Sequence, residues 1–378
     1  MQLLEFWGWI ASPEAKLLDF FLWVGPRANS ARSPRIVVVD IDDKSFQQCF
    51  KSSPMQPEKI GKVVQAALDA NPAAVGVDII TDAEHLNYDS LPRDMRVVWA
   101  AGVEEPGREE SESFWDWITG PKLMTIRPTK VLGKEPGDAD VRWALPVYPR
   151  EEDQHLRRFP RQMIVPTGVR LNWPSAVAQV YKPDLAIEAD ARKRAAQGHV
   201  DELFVAHTPR DVRWYRLTDV FACNGQEITL KRDSDEFKTF QKEAQDQIVL
   251  IGGTFASGRD FYETADGRIS GLEMNANAVT AELTGTALTE MRPRYRFPLD
   301  IAVGLAIAAI FHRTSKSVNW RIGWSFGGVL ITLTLAASIL YQANLVWLSC
   351  AGIAIGMMLH VLIEIWREDL PGSEHSEH

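Results

Sequence analysis

The sequence lacks the basic surface that binding to a nucleic acid requires. Its 378 residues contain 41 lysines and arginines against 50 aspartates and glutamates, which gives a net charge of −9. No lysine- and arginine-rich stretch is interleaved with aromatic residues. Because proteins neutralise nucleic-acid phosphates with such residues, we expect no nucleic-acid partner.

Cysteine and histidine are also scarce, and their spacing does not fit the common metal and catalytic sites. The three cysteines, Cys49, Cys223 and Cys350, form no CxxC pair. The eight histidines include no pair with metal-ligand spacing, and no Ser-His-Asp arrangement can be supported. We therefore expect no cofactor and no enzyme activity. Cys49 and Cys223 could form a disulfide in a secreted domain, but the sequence favours buried free thiols.

The N-terminal segment, residues 1–30, lacks both a signal peptide and an uncharged stretch of the roughly 20 residues that a membrane span requires. Its many apolar residues are interrupted by charged ones such as Glu14 and Asp19. Ser12-Pro13 fits the N-cap and the first position of a helix. The sequence predicts an amphipathic helix over 13–24, packed against the next domain or, as the alternative, lying on a membrane surface.

Charge almost disappears from the sequence between Phe297 and Ile363. Charge-free runs close to 20 residues long are typical of helices that cross a bilayer. Residues 296–366 are therefore predicted to form three transmembrane helices, at about 297–311, 320–340 and 345–365. The last two would form a hairpin, and a polar tail follows at 367–378. The alternative, a helical hairpin buried in a globular core, is rarer for runs of this length.

The region between these ends, residues 31–290, has the pattern of an α/β domain. Short, almost continuously apolar runs at 35–41, 73–80 and 247–253 indicate strands buried on both faces, as in a parallel sheet. Further strands are predicted at 96–101, 203–206 and 212–217. Helices are predicted over 60–68, 172–181, 184–198 and 271–283. This alternation predicts a mostly parallel sheet flanked by helices, followed by an all-α transmembrane bundle.

Acidic and amide side chains follow the ends of the predicted strands. The carboxyl ends of parallel strands meet at one edge of a sheet, where α/β proteins bind their ligands. The candidate ligand-binding residues are Asp40, Asp42, Asp78, Trp173, Asp260, Glu273, Asn275 and Asn277. Carboxylates and amides suit a hard cation or a cationic or polyol ligand. The alternative is that these side chains cap helices and turns.

Two enzyme-like patterns near these strand ends are incomplete. Asp40-Ile-Asp42 resembles the start of haloacid-dehalogenase-like phosphatases, but Lys44 follows where that motif needs a small residue and a threonine. The glycine-rich segment 252–258 lacks the lysine ending and the GxGxxG spacing of phosphate-binding loops, so a tight turn is the better interpretation. We therefore expect no catalytic residue, and the sequence leaves open whether a metal ion binds.

Several motifs together resemble the CHASE2 sensor domain. The opening motif VDIDDKS (39–45) and the strand VGVD (75–78) resemble the first half of that family. The segments DQIVLIGGT (246–254) and GLEMNAN (271–277), with Asp260 between them, resemble its closing block. The order and spacing are those of the family over roughly residues 30–366, including three hydrophobic segments at the end. The resemblance implies a bacterial sensor, although neither the usual N-terminal transmembrane helix nor an output domain is evident.

The expected function is therefore that of a multi-pass inner-membrane sensory module. We expect it to bind an unidentified small molecule or ion and to relay the signal through its transmembrane helices to a separately encoded output protein. The flanking charges favour an extracytoplasmic sensor domain only slightly, and the family pattern agrees. The alternative is a non-catalytic scaffold subunit of a membrane complex. Whether the chain forms a homo-oligomer stays open.

Overall fold

The structure is a computed structural model, and it describes residues 16, 18–19, 35–104, 126–137, 140–149, 155–196, 201–204, 212–224, 227–256, 260–264, 267–290 and 346–347. The strands are β1 (Ile36–Ile41), β2 (Ala74–Asp78), β3 (Val97–Ala100), β4 (Arg142–Ala144), β5 (Arg158–Pro160), β6 (Gln162–Val165), β7 (Gly168–Leu171), β8 (Glu202–Phe204), β9 (Val212–Arg216), β10 (Phe221–Asn224), β11 (Glu227–Leu230), β12 (Ile248–Gly253), β13 (Phe261–Thr264), β14 (Gly267–Ser270), β15 (Leu288–Glu290) and β16 (Val346–Trp347). The helices are α1 (Asp43–Ser45), α2 (Pro57–Asp69), α3 (Trp173–Tyr181), α4 (Ile187–Ala196), α5 (Leu217–Val220), α6 (Asp235–Ala244) and α7 (Gly271–Thr284).

Six strands form the main sheet, in the order β4-β3-β2-β12-β1-β9, and all of its pairings are parallel. The prediction of a mostly parallel sheet flanked by helices is thus confirmed. Although β12 comes last of the six in the chain, it lies between β1 and β2 and pairs with both. The carboxyl ends of these three strands are therefore neighbours at one edge of the sheet.

Helices cover both faces of the sheet because the side chains of each strand alternate between its faces. In β1, Val37 and Val39 face the core formed with α2 and α6, whereas Ile36 and Val38 face the core formed with α3 and α7. All four of these side chains are fully buried. Each such burial stabilises the fold by about 1.5–3 kcal/mol, which explains why the strands are apolar at every position.

The chain divides into two compact units. One comprises Asp19–Glu112 and Pro121–Ala287 and contains the main sheet, whereas the other comprises Met1–Leu18, Ser113–Gly120 and Leu288–His378. In the second unit, β15 and β16 pair in parallel. Of the predicted N-terminal helix, positions 16, 18 and 19 are described, and all three are helical.

No helix within the described ranges is long and apolar enough to cross a bilayer. The three predicted spans lie outside those ranges, apart from Val346 and Trp347 at the start of the third. These two residues form β16, so the prediction of a helix from about 345 is wrong at its first residues. Apolarity by itself does not distinguish a short extended segment from the first turn of a helix.

Cys49 and Cys223 form a disulfide, and the prediction of free thiols is wrong for this pair. Cys49 lies in a π-helix, Phe46–Phe50, that follows α1, and Cys223 lies in β10. Both pack in the core on the α2 and α6 side of the sheet, with their Cα atoms 5.0 Å apart. Since 174 residues separate the two cysteines along the chain, only the tertiary fold brings them within bonding distance.

Candidate functional site

The candidate site is built on the carboxyl edge of β1, β12 and β2. In the register of these strands, Asp40 lies beside Gly252, and Gly252 lies beside Asp78. A Cβ atom on Gly252 would come within 2.9 Å of the Leu272 side chain and 3.2 Å of the Asp78 Cβ. Glycine at this position therefore lets the start of α7 approach the sheet next to Asp78.

A hydrogen-bond chain connects Asp78 to a buried amide and a tyrosine. The Asn275 side chain donates from Nδ2 to Asp78 Oδ2 at 2.7 Å. The Tyr148 hydroxyl donates to Asn275 Oδ1. Asn275 is only 1% exposed, so its polar atoms need these partners. Asp78 comes from β2, Tyr148 from the segment after β4 and Asn275 from α7, so three separate parts of the fold meet here.

A second carboxylate, Asp260, lies at the first turn of α7. A Cβ atom on Gly271 would be 1.9 Å from Asp260 Oδ2, which shows that the carboxyl group lies directly against the glycine. The Asp260 carbonyl also accepts a hydrogen bond from the Gly271 amide at 2.9 Å. Because no side chain would fit between them, Gly271 is required for this arrangement.

Aromatic rings border the cluster. The Tyr148 ring lies 6.0 Å from that of Tyr262 and 6.2 Å from that of Phe159, measured between ring centroids. Tyr262 belongs to β13, directly after Asp260 and Phe261 in the chain. The site thus combines two carboxylates, an amide and two phenols. We name the set of Asp78, Asp260, Asn275, Tyr148 and Tyr262 the Asp78 cluster.

The electrostatics of the Asp78 cluster disfavour negative charge. Burial raises the pKa of Asp78 to about 7, the negative charge of Asp260 adds to this rise, and the bond from Asn275 opposes it. Asp78 retains some solvent-accessible surface, but protein atoms surround its carboxylate densely. The pKa of Tyr148 is raised well above 10, first by burial and then by the charge of Asp78. The Asp78 carboxyl group, which changes charge near neutral pH, is therefore connected through Asn275 to the Tyr148 phenol, which stays neutral.

Asp40 and Asp42 of the predicted site lie in a separate group around α1, together with Asp43. Asp40 accepts a hydrogen bond of 2.7 Å from the Thr254 hydroxyl, and burial raises its pKa. Asp42 is the N-cap of α1 and accepts from the Ser45 amide at 2.8 Å. Asp43 accepts from the Ala256 amide at 2.9 Å. The helix-capping interpretation is therefore the one that the structure supports for Asp42.

The remaining predicted residues are distributed along the helices. Trp173 is fully buried at the start of α3, with its ring against the sheet, since a Cβ on Gly76 would lie 2.6 Å from it. It packs in the hydrophobic core. Glu273 lies in the first turn of α7, and its amide donates to the N-cap Ser270. Asn277 is buried further along the same helix.

Sequence reasoning missed both tyrosines of the cluster. Tyr148 lies in an irregular segment after a three-residue strand, and Tyr262 lies in a short hairpin strand. Neither position carries a periodic pattern or a motif, so no local signal points to a site. Within the described part of the chain, no group of three or more His, Cys, Asp or Glu side chains is placed to hold a metal ion.

A buried ion-pair network holds α7 closer to its other end. Arg161 donates to both carboxylate oxygens of Glu282, at 2.9 and 2.7 Å. The Ser175 hydroxyl in α3 donates to the same carboxylate at 2.6 Å. These charge-assisted bonds connect α7 to α3 and to the chain between β5 and β6. The helix that carries Asn275 is thus fixed in position by contacts outside the cluster.

Comparison with known proteins identifies the family. Neither the curated proteins nor the solved structures contain a match to this chain. A family model described as the CHASE2 domain matches residues 2–313, which is most of the chain. The match includes the main sheet, the Asp78 cluster and the motifs at 39–45 and 271–277. This protein therefore belongs to the CHASE2 family of sensor domains.

Proposed function

We propose that this chain is a non-catalytic membrane sensory module that binds a small polar or ionic signal at the Asp78 cluster. The observation that carries this proposal is the buried hydrogen-bond chain from Tyr148 through Asn275 to Asp78. Ionisable groups with shifted pKa values at the carboxyl edge of a parallel sheet are characteristic of functional sites. A purely structural core position would more often carry an apolar side chain.

The composition of the cluster favours a cationic or polyhydroxylated ligand. Asp78 and Asp260 bring negative charge, and Asn275 can both donate and accept hydrogen bonds. The rings of Tyr148 and Tyr262 offer aromatic surface to an ammonium or guanidinium group. Such a combination of a few polar groups with aromatic walls is typical of small-molecule sites.

The disulfide supports an extracytoplasmic location for the sensor domain. Disulfides form and persist in oxidising compartments and are rare in the cytosol. Cys49 and Cys223 are joined within the same unit as the Asp78 cluster. Together with the charge-poor segments at 297–365, this supports an inner-membrane protein whose sensor domain faces outward.

The position of α7 in the chain supports a relay towards the membrane. This helix contributes Asn275 to the cluster and ends at Thr284, followed by Gly285 in the left-handed conformation. The first predicted span begins only about a dozen residues later, at Phe297. A ligand that shifts α7 would therefore act on the segment leading into the bilayer and, through it, on a separately encoded output protein.

Thermal-shift screening of the full chain in detergent micelles tests this function. The probes are amines, amino acids, polyols and divalent cations, applied to the wild type, to Asp78→Asn and to the exposed control Asp89→Asn. We expect one probe class to stabilise the wild type and the control. The same probes should bind Asp78→Asn at least tenfold more weakly. If every probe leaves all three proteins unchanged while a partner protein co-purifies stoichiometrically, the chain is a scaffold subunit instead.

A further inference from the structure

The direction of the hydrogen bonds in the Asp78 cluster fits an ionised Asp78. An ionised carboxylate only accepts hydrogen bonds, so the Asn275 NH₂ group must face it. The Asn275 oxygen then faces Tyr148, whose hydroxyl donates. The arrangement in the structure is therefore the one that an ionised Asp78 requires.

The charged and polar groups around Asp78 affect how readily its carboxyl group gains or loses a proton. Asp260 acts on it from the segment before β13, Asn275 from α7, and Asp40 lies across Gly252 on β1. Tyr148 lies at the other end of the chain of hydrogen bonds, with Tyr262 beside it, and the charge of Asp78 helps to raise the pKa of Tyr148. Two carboxylates in one partly buried space compete to be ionised, because like charges repel strongly where water is scarce.

Building on the proposed sensory site, we propose that protonation of Asp78 reverses the Tyr148–Asn275–Asp78 hydrogen-bond chain and so makes the site a proton-controlled switch. A proton from solvent adds to the Asp78 carboxylate and forms a carboxylic O–H group. This group donates to the Asn275 oxygen after the amide turns over. The NH₂ group then donates to Tyr148, whose hydroxyl oxygen accepts and whose hydrogen becomes free for another acceptor.

The two states of the chain offer different chemistry to a ligand. The ionised state presents a negative carboxylate and therefore attracts a cation. The protonated state removes that charge and leaves the Tyr148 hydroxyl free to donate in a new direction. The same five residues would thus bind a cation at higher pH and a neutral hydrogen-bonding group at lower pH.

Infrared difference spectroscopy on the full chain in detergent micelles tests the switch directly. Spectra are recorded between pH 5 and pH 9, relative to a reference at pH 9. We expect the wild type to lose the C=O band of a protonated carboxylic acid as the pH rises, with a midpoint near 7. A change in the tyrosine ring bands should have the same midpoint. Asp89→Asn, at an exposed surface position, should leave both changes in place.

Three variants decide the result. Asp78→Asn should abolish the component of the carboxylic band that titrates with a midpoint near 7. Tyr148→Phe should keep that component while abolishing the tyrosine change. Asp260→Asn should lower the midpoint by roughly one pH unit, because it removes a nearby negative charge. A component with this midpoint that persists in Asp78→Asn, a midpoint unmoved by Asp260→Asn, or titration without any tyrosine change would each overturn the proposal.

The same measurements separate this inference from the proposed function. If the thermal-shift screen finds a ligand that depends on Asp78 but the infrared bands do not titrate, the sensory site stands and the proton switch fails. If the bands titrate as expected but no probe binds, the switch stands and the ligand-binding function fails.

Discussion

Arg157 and Asp19 form a buried bidentate ion pair, with distances of 2.7 Å from Nε to Oδ1 and 2.9 Å from Nη2 to Oδ2. Arg157 directly precedes β5 and is 1% exposed, whereas Asp19 belongs to the helical N-terminal positions, 138 residues earlier. Such charge-assisted pairs are strong when they are removed from water. The pair joins Asp19 to the chain just before β5 within one compact unit.

Replacing Asp19 by alanine should destabilise the protein substantially. The change removes a carboxylate that accepts two hydrogen bonds from the buried Arg157, and breaking a buried pair typically costs about 3–5 kcal/mol. Chemical denaturation of the full chain would measure the free energy of unfolding. The control is Asp89→Ala, which removes an exposed pair with Arg93 and should change stability by less than about 0.5 kcal/mol. Equal effects of the two changes would contradict the burial of the Arg157 pair.

Replacing Glu282 by glutamine should loosen α7. The carboxylate accepts from Arg161 and Ser175 within the core, and glutamine keeps its shape but loses its charge. We expect a loss of about 1.5–3 kcal/mol in the free energy of unfolding, because the largely buried Arg161 loses its nearest counter-ion and keeps only Asp201, at 3.8 Å. The surface change Glu188→Gln, which affects only an exposed pair with Arg192, should be close to neutral. Hydrogen exchange in α7 should accelerate with Glu282→Gln and not with the control.

Replacing Asp78 by asparagine should flatten the pH dependence of stability. The pKa of Asp78 is about 7 in the folded protein against an ordinary value of 3.8, so the folded state binds its proton more tightly. Its stabilising contribution is complete below about pH 4 and is lost as the pH rises to about 7. The loss is at most about 4 kcal/mol.

Asparagine carries no titratable proton, so Asp78→Asn should match the wild type near pH 4 and be more stable at pH 8. Denaturation curves at pH 4, 5, 6, 7 and 8 for the two proteins measure this difference. A wild-type protein that becomes more stable between pH 5 and pH 7, relative to the variant, would reverse the expected sign.

Replacing both Cys49 and Cys223 by alanine should destabilise the sensor domain by about 2–5 kcal/mol, because the disulfide closes a long loop of the unfolded chain. Alkylation of the denatured protein, purified without a reductant, checks the bond itself. One of the three cysteines should react without a reductant, and all three should react after reduction. In the control Cys350→Ala, no cysteine should react with the alkylating reagent until the disulfide is reduced. Three reactive cysteines in the untreated wild type would show that no disulfide forms.

Local patterns in the sequence were sufficient for five of the six strands of the main sheet, all but β4, and for most of the helices that flank them. A strand such as β12 is apolar at every position because both of its faces are buried, and that property is visible without any knowledge of its neighbours. By contrast, α6 was missed because half of its residues are charged. Only Phe237, Phe240 and Ala244 of that helix are buried.

The candidate site was only partly accessible from the sequence. Asp78, Asp260 and Asn275 were predicted because polar residues at the ends of parallel strands converge on one edge of the sheet. The sequence could not distinguish a capping role for Asp42, or a core role for Trp173, from ligand binding. Aspartate and tryptophan are common in all of these roles. Tyr148 could not be found at all, because its partner Asn275 is 127 residues away.

The sequence by itself determined the α/β class of this protein, its family and the edge of the sheet at which polar groups gather, because each depends on local order along the chain. The tertiary structure decided the rest. The insertion of β12 between β1 and β2, the Cys49–Cys223 bond and the hydrogen-bond chain from Tyr148 to Asp78 all depend on contacts between distant segments. Those contacts are set by packing and by the need to pair buried polar groups, and neither is visible in the sequence one segment at a time.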